Sequence, residues 1–150
     1  MTSTKKVLRP VINPLMRGSM DSSKRKQGGP PELVINGGFD TNSDWSGVGI
    51  NGYTITGGVL NVVAPNTGNP SVSQAVPMVT LTQYRLKFDW TRTAGRIQMR
   101  AGGGTTVFNE QTGSSGSEDI LVTAEGASLT IVSINGTFSG TFDNISIKAA

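Results

Sequence analysis

Cysteine and histidine, two residue types on which much enzyme chemistry depends, are both absent from this 150-residue chain. Their absence excludes thiolate nucleophiles, disulfides, Cys/His zinc sites and every Ser-His-Asp arrangement. The adjacent acids Glu118 and Asp119 are the strongest remaining pair for acid/base chemistry. Neighbouring residues on a strand point to opposite faces, so these two carboxylates cannot easily flank one glycosidic bond. We therefore expect a protein that is not an enzyme.

Gly47, Gly49 and Gly52 have the spacing of a dinucleotide-binding loop. Such a loop must follow a strand and open a helix, because the helix N-terminus holds the phosphates. Here the residues that follow, Tyr53 to Thr56, have the composition of a strand. The glycines therefore predict turns in a β protein, with no nucleotide site.

Oxygen-rich side chains near both ends of the chain are candidates for a hard cation. Asp40 and Asp44 lie among asparagines early in the chain, and Asp143 is followed by Asn144 near its end. Calcium takes its ligands from such carboxylate, amide and backbone oxygens. The alternative is a set of Asx turns and strand ends. We expect no required cofactor and keep a structural calcium ion as a hypothesis.

The elements that must position these residues are short strands. From residue 32 onward, runs of β-branched and aromatic residues are bounded by Gly, Asn, Pro and Ser, a spacing typical of sandwiches and barrels. The pattern predicts an all-β fold, an antiparallel β-sandwich of jelly-roll type, over residues 32–150. The predicted strands are Leu33–Ile35, Tyr53–Thr56, Val59–Val63, Val72–Val76, Tyr84–Thr91, Arg96–Ala101, Thr105–Asn109, Ile120–Val122, Ser128–Ile134 and Phe142–Lys148.

Residues 1–31 differ from the rest in charge and composition. They hold seven basic side chains and one acidic one, whereas residues 32–150 hold six basic and nine acidic. Aromatic residues are absent and prolines interrupt the segment, so we predict an extended N-terminal arm and linker without regular structure. Two interpretations stay open, a disordered leader and a docking arm, and we favour the second. The residues predicted to dock on a partner are Val7, Leu8, Arg9, Val11, Ile12, Leu15, Met16 and Arg17.

Membrane insertion and export are not predicted. No run of about 18 apolar residues is present. The first apolar stretch is broken by Arg9, Pro10 and Pro14, so the chain shows no signal peptide. We expect a protein made in the cytoplasm of its host cell.

Several short motifs resemble those of the carbohydrate-binding, galactose-binding-like jelly-roll modules. The segment LVINGGFD at residues 33–40 is similar to the start of such a module, and TFDNISI at residues 141–147 to its end. Between them, GGVL at residues 57–60, SQAV at residues 73–76 and QYRLKF at residues 83–88 resemble successive strands of the family. The resemblance extends over residues 32–150 and implies the same sandwich fold.

The resemblance also implies sites. A structural calcium ion in this family often lies where the terminal strands meet, which here implies Asp40 and Asp143 as its ligands. Sugar binding in the family uses aromatic and polar side chains on a sheet face or in the adjoining loops. The matching residues are Tyr53, Trp90, Arg96, Gln98 and Arg100.

A module of this kind on a basic, proline-rich arm is similar to accessory virion proteins of tailed bacteriophages. The resemblance implies a virion structural protein for capsid decoration, cementing or appendage attachment, whose arm docks on capsid or tail subunits. We expect it in the virion and as a homo-oligomer whose number of copies stays open. The alternative is a glycan-binding module displayed on a particle for adsorption to the host surface.

Nucleic acid is a third candidate partner, because the arm carries Lys24, Arg25 and Lys26 in one run. No aromatic residue lies between the basic ones, so such binding would be nonspecific. We therefore expect no nucleic-acid partner.

Overall fold

The computed structural model describes residues 28–48, 52–63 and 68–150, which form seven antiparallel strands and no helix. Accordingly, no helix in this described part is long and apolar enough to cross a membrane. The residues predicted to dock the arm, from Val7 to Arg17, lie outside the described residues. The strands are β1 (Tyr53–Thr56), β2 (Val59–Val62), β3 (Ser71–Ala75), β4 (Gln83–Ala101), β5 (Thr106–Glu110), β6 (Ser115–Thr123) and β7 (Ser128–Ala149).

Two long strands, β4 and β7, organise the whole molecule. They pair antiparallel from Tyr84 opposite Ala149 to Ala101 opposite Leu129, and the other strands add to one end or the other. One layer, here called the first layer, has the order β6, β4 (83–92), β7 (140–149), β2, β1. The second layer has the order β5, β4 (96–101), β7 (128–134), β3. The sheet therefore curls into a β-sandwich, as the sequence predicts.

The alternation of side chains along β4 decides what the two layers enclose. In its first half, Leu86, Phe88 and Trp90 are buried while the residues between them face outward. The ring of Phe88 lies 4.9 Å from that of Phe108 on β5, and Trp90 lies 5.6 Å from the same ring. These contacts join the inner faces of the two layers, so the aromatic residues of β4 form the core and are withdrawn from solvent.

The long strands must bend to pass from one layer to the other. Register shifts interrupt the β4–β7 ladder on both sides of Ala94. Gly95 has φ +69°, and a side chain at this position would overlap the backbone of Thr137 on β7. Glycine is required here for its left-handed backbone and for the close approach of the two strands. Gly140 makes a similar close approach to the carbonyl of Thr91, so the bend requires a residue without a β-carbon on each of the two strands.

The bends also explain where the sequence prediction was wrong. Tyr84–Thr91 and Arg96–Ala101 were predicted as two strands and form one, as do Ser128–Ile134 and Phe142–Lys148. The glycine at 95 marks a bulged bend in a continuous strand, with no reversal of the chain. Sequence alone does not separate the two cases, because turns and bulges use the same residues.

Residues Leu33–Ile35 were predicted as a strand and are not one. Their backbone makes one ladder-like bond, from Leu33 N–H to the carbonyl of Ile147. The same Leu33 N–H is shared with the Oε1 of Glu32 at 3.1 Å. The N–H of Val34 also donates to Glu32, at 3.1 Å, and that of Ile35 donates to the buried Gln74 at 2.8 Å. Side chains therefore satisfy backbone groups that a strand would pair with a neighbour.

Replacing Gly95 with alanine should severely destabilise the domain. A Cβ there overlaps main-chain atoms of Thr137, which cannot rotate away, and the positive φ adds strain. We expect the free energy of unfolding, measured in urea, to fall by roughly 3 kcal/mol or more, as it does for severe defects in a protein core.

The matched control is Gly57→Ala in the β1–β2 turn. Gly57 also has positive φ (+66°), but its Cβ would meet nothing within 4 Å. The substitution should lower the free energy of unfolding by about 1–2 kcal/mol, which is the cost of the backbone strain alone. Equal losses for the two variants would show that the bend does not depend on close strand contact.

Candidate functional site

A polar row lies along the outer face of the second layer. It consists of Arg96, Gln98 and Arg100, which alternate on β4 with the buried residues of the core and are themselves half-buried. Arg100 donates through Nη2 to the Oε1 of Gln98 at 3.1 Å. Arg96 donates through Nε to the Oδ1 of Asn109 on β5 at 2.8 Å. The structure therefore brings together three of the residues predicted to bind glycan, and we call them the Arg-Gln-Arg row.

The strands beside the row carry small and hydroxyl side chains. Arg100 pairs with Thr130 on β7, which in turn pairs with Ser73 on β3. Val132, opposite Gln98, is only 4% exposed although the register places it on the outer face. The long stems of the row are placed to cover it. The face thus combines an apolar floor with hydroxyl, amide and guanidinium groups.

The two arginines of the row pair with no carboxylate of the described residues. Within residues 28–48, 52–63 and 68–150, no carboxylate oxygen lies within 4.0 Å of Arg96 or Arg100. In the first layer, by contrast, Arg85 and Lys87 both pair with Asp119, at 2.9 Å for Arg85 Nη2 and for Lys87 Nζ. These hydrogen bonds hold the pKa of Asp119 well below its usual range. Positive charge is therefore neutralised on one outer face and left free on the other.

Glu110 is the one acidic residue in the strands of the second layer, and a turn uses its carboxylate. Its Oε1 accepts the backbone N–H groups of Gly113, Thr112 and Gln111, and the hydroxyl of Thr112. The bonds from the Gly113 and Thr112 backbone, the strongest of these, lower the pKa of Glu110 to about 2. The acid therefore stays ionised and fixes the β5–β6 turn, and it pairs with neither arginine of the row.

Two of the residues predicted to bind glycan lie in the core. Tyr53 is 0% exposed. Its hydroxyl donates to the Pro70 carbonyl at 2.9 Å and accepts a hydrogen bond from the Ser133 N–H at 3.0 Å. Burial raises the pKa of Tyr53 to about 12, against the opposing effect of the Ser133 bond. Trp90 is 5% exposed and donates from Nε1 to Glu118 at 3.0 Å. Neither ring offers a face to a sugar here, because interlayer packing covers both.

The acid pair separates as the alternation predicts. Glu118 turns inward to Trp90, whereas Asp119 turns outward to Arg85 and Lys87. The two carboxylates lie on opposite sides of β6 and serve different partners. The structure thus gives them no shared site for acid/base chemistry.

The hypothesis of a calcium ion at Asp40 and Asp143 remains a prediction. In the described ranges, no three acidic side chains lie close enough together to hold a metal. The carbonyls of Thr41 and Ser43, which point into the loop before Asp44, accept the Nδ2 of Asn36 at 2.6 and 3.1 Å. Asp143 accepts the backbone N–H of Asn144 at 2.7 Å. Two carbonyl oxygens of this loop thus accept hydrogen bonds from the amide of Asn36.

Asn109 belongs to the site and was not singled out from the sequence. The sequence feature that could have identified Asn109 is the run of glycines at residues 102–104, which predicts a hairpin between β4 and β5. That hairpin places Asn109 opposite Gln98. A bulge between Met99 and Arg100 shifts the register, so the pairing could not be counted from the turn alone.

Comparison with solved structures assigns the fold to a class. No family model matches the sequence, and no curated protein matches it. The structure described as "CBM4 structure and function" superposes with a TM-score of 0.54 at 16% identity, covering 78% of this chain and 99% of that one. A CBM35 module from Paenibacillus barcinonensis aligns at 21% identity over 82% of this chain and 100% of that one, with a TM-score of 0.43.

The fold is that of a β-sandwich carbohydrate-binding module, a conclusion that rests on the likeness to CBM4. The resemblance inferred from the sequence is confirmed at the level of fold. The motifs that carried it lie in the terminal segments and central strands of the same sandwich.

Acid should weaken the domain partly through Glu110. Its folded pKa of about 2 lies below the ordinary value of 4.5, so its stabilising contribution is present above pH 4.5 and is lost as pH falls toward 2. We expect Glu110→Gln to be less stable than the native chain at pH 7 and to approach it at pH 2. Melting temperatures measured across this range test this. If the difference in melting temperature between the native chain and Glu110→Gln stayed the same at every pH, the turn would not depend on the ionised carboxylate.

Proposed function

We propose that residues 32–150 form a non-catalytic carbohydrate-binding module whose glycan site is the outer face of the second layer. The observation that carries this proposal is the Arg-Gln-Arg row, held in place by hydrogen bonds to Gln98 and Asn109. The likeness of the fold to a carbohydrate-binding module supports it. Hydroxyl and amide side chains on a sheet face are suited to a ligand rich in hydroxyl groups.

Binding at this face relies on hydrogen bonds. Aromatic stacking plays no part in the proposal, because Tyr53 and Trp90 are buried. A site of this kind gives modest affinity for each sugar chain, since each hydrogen bond replaces one made to water. Display of several copies on one particle would raise the overall affinity through avidity.

The role as a capsid decoration or cement protein remains a second proposal. It rests on the basic composition of residues 1–31, most of which lie outside the described residues, and on the resemblance of the arm to those of virion proteins. The fold favours the glycan-binding role, because it is like that of modules named for binding carbohydrate. The two roles are compatible if the arm anchors the module to capsid or tail subunits. Location in a virion and homo-oligomer formation likewise remain proposals.

Affinity electrophoresis of the full chain against a panel of soluble polysaccharides tests the glycan site. At least one polysaccharide should retard the protein. Arg100→Gln keeps much of the aliphatic stem and removes the charge. It should weaken that binding about tenfold or more, as expected for a charge-assisted hydrogen bond, with little change in melting temperature. The matched control is Lys148→Gln on the first layer, which should bind as the native chain does.

Two outcomes contradict the proposal. Retardation by no polysaccharide would remove the glycan function. Equal loss in the Arg100 and Lys148 variants would remove the second layer as its location.

Deletion of residues 1–27 should separate attachment from folding. Every described core residue lies at position 33 or later, so the melting temperature should change by about 2 °C or less. If the arm docks on virion subunits, the shortened protein should no longer co-sediment with particles. Calorimetry and co-sedimentation measure the two effects, and unfolding of the shortened chain would overturn the division of the chain into arm and domain.

A further inference from the structure

We infer that the ligand of the second layer is an acidic glycan, whose carboxylate or sulfate groups pair with Arg96 and Arg100. This inference rests on the proposed function and narrows it to one class of sugar chain. It begins from the distribution of charge over the two outer faces.

The first layer balances its charges internally. Asp119 holds Arg85 and Lys87, and Lys148 lies 3.9 Å from Glu32. A groove of about 450 Å³ on this face is lined by these same basic residues. An anion entering it would compete with carboxylates already in place, which makes the groove a poor anion site despite its basic lining.

The second layer has no such compensation. Its outer face presents two guanidinium groups, and the single acid of its strands, Glu110, is held by the turn at residues 111–113. Residues 32–150 carry more acidic than basic side chains overall. The positive face therefore stands out against an acidic domain and would attract anions selectively.

The geometry leaves the guanidinium groups ready for an anion. Arg96 donates through Nε and Arg100 through Nη2, and both acceptors are neutral amides. The amides fix the side chains without neutralising them, and further donors remain for a two-pronged bond to carboxylate or sulfate. Arg96 and Arg100 are four residue steps apart on β4, about 13 Å in an extended strand, with Gln98 midway between them. The row thus suits a chain that carries acidic groups at intervals.

Arg100 is desolvated more than a surface arginine. Its Nε is buried and has no hydrogen-bond partner within the described part of the chain. A charged group partly removed from water gains more from a new anionic neighbour than a fully hydrated one does. Arg100 should therefore contribute more than Arg96 to binding.

A protein or nucleic-acid ligand fits this face less well. Protein interfaces have an apolar centre, but the large exposed apolar side chains of the described residues lie outside the strands of the second layer. Single-stranded nucleic acid requires exposed aromatic rings for stacking, but the ring that the described strands of this layer carry, Phe108, packs against Phe88 and Trp90 on the inner face. An acidic glycan needs neither feature. The exposed apolar residues concerned are Ile35, Val63, Val79, Leu81 and Leu121.

Matched pairs of polymers provide the test. The full chain is titrated calorimetrically with polygalacturonate and its methyl ester, and with dextran sulfate and dextran, so that each pair differs mainly in charge. We expect the charged member of at least one pair to bind about tenfold or more tightly than its neutral partner, with affinity falling as salt rises. Arg96→Gln/Arg100→Gln should abolish the preference and leave the melting temperature nearly unchanged.

Two control variants exclude other sources of positive charge. Lys148→Gln changes the first layer, and Lys24→Gln/Arg25→Gln/Lys26→Gln removes the charge cluster of the arm. Both should keep the preference. The inference would be overturned if the arm variant lost the preference for the charged polymer while the row variant, Arg96→Gln/Arg100→Gln, kept it.

The remaining outcomes separate the inference from the proposed function. Equal binding of charged and neutral partners would overturn the acidic class while supporting a glycan site. Binding of no polymer would overturn both. Equally tight binding of duplex DNA, lost in the same row variant, would make the row a general polyanion site and overturn the assignment to a glycan.

Discussion

The pairing of β4 with β7 is the interaction on which the rest of this structure depends. Both strands run through two layers, so a single ladder fixes the register of the inner and the outer faces in each layer at once. The outward position of Arg96, Gln98 and Arg100 follows from the same register that buries Ile97 and Met99. A slip of one residue would exchange the two sets, exposing the core and burying charge. The site and the core are therefore specified together.

Side chains complete the structure where the ladders end. Glu32 accepts N–H groups from both terminal segments, Leu33 and Val34 on one side and Ile147 on the other. Burial alone would raise the pKa of Glu32, but the hydrogen bonds from Ser146 and these backbone groups lower it. The side chain of Gln74 likewise accepts the N–H of Ile35 and donates to the carbonyls of Ile35 and Asp44. These two polar side chains thus supplement the few backbone bonds that join the N-terminal segment to β7 and β3, among them Leu33 to Ile147 and Ser46 to Ser73.

The distribution of charge distinguishes the two outer faces more sharply than composition suggests. Several carboxylates serve the fold: Asp119 pairs with two cations and Glu110 fixes a turn. Glu118 accepts the indole N–H of Trp90. Arg96 and Arg100, by contrast, lie on an outer face where no carboxylate of the described residues comes within 4.0 Å of them. Ion pairs at the surface contribute little to stability, so the arrangement bears mainly on what the surfaces attract.

The sequence by itself determined the class of fold, the alternation that buries the aromatic residues of β4, and the exclusion of thiol and imidazole chemistry. Those features depend on local periodicity and composition, which a single chain displays directly. Only the tertiary structure decided that ten predicted strands are seven elements. Two pairs of predicted strands each form one bent strand, because bulges and turns use the same residues, and residues 33–35 form no strand. It also decided that Tyr53 and Trp90 are buried and that no carboxylate of the described residues pairs with Arg96 or Arg100. Burial and charge pairing are set by which strands become neighbours, and strands distant in the sequence meet only in the folded sheet.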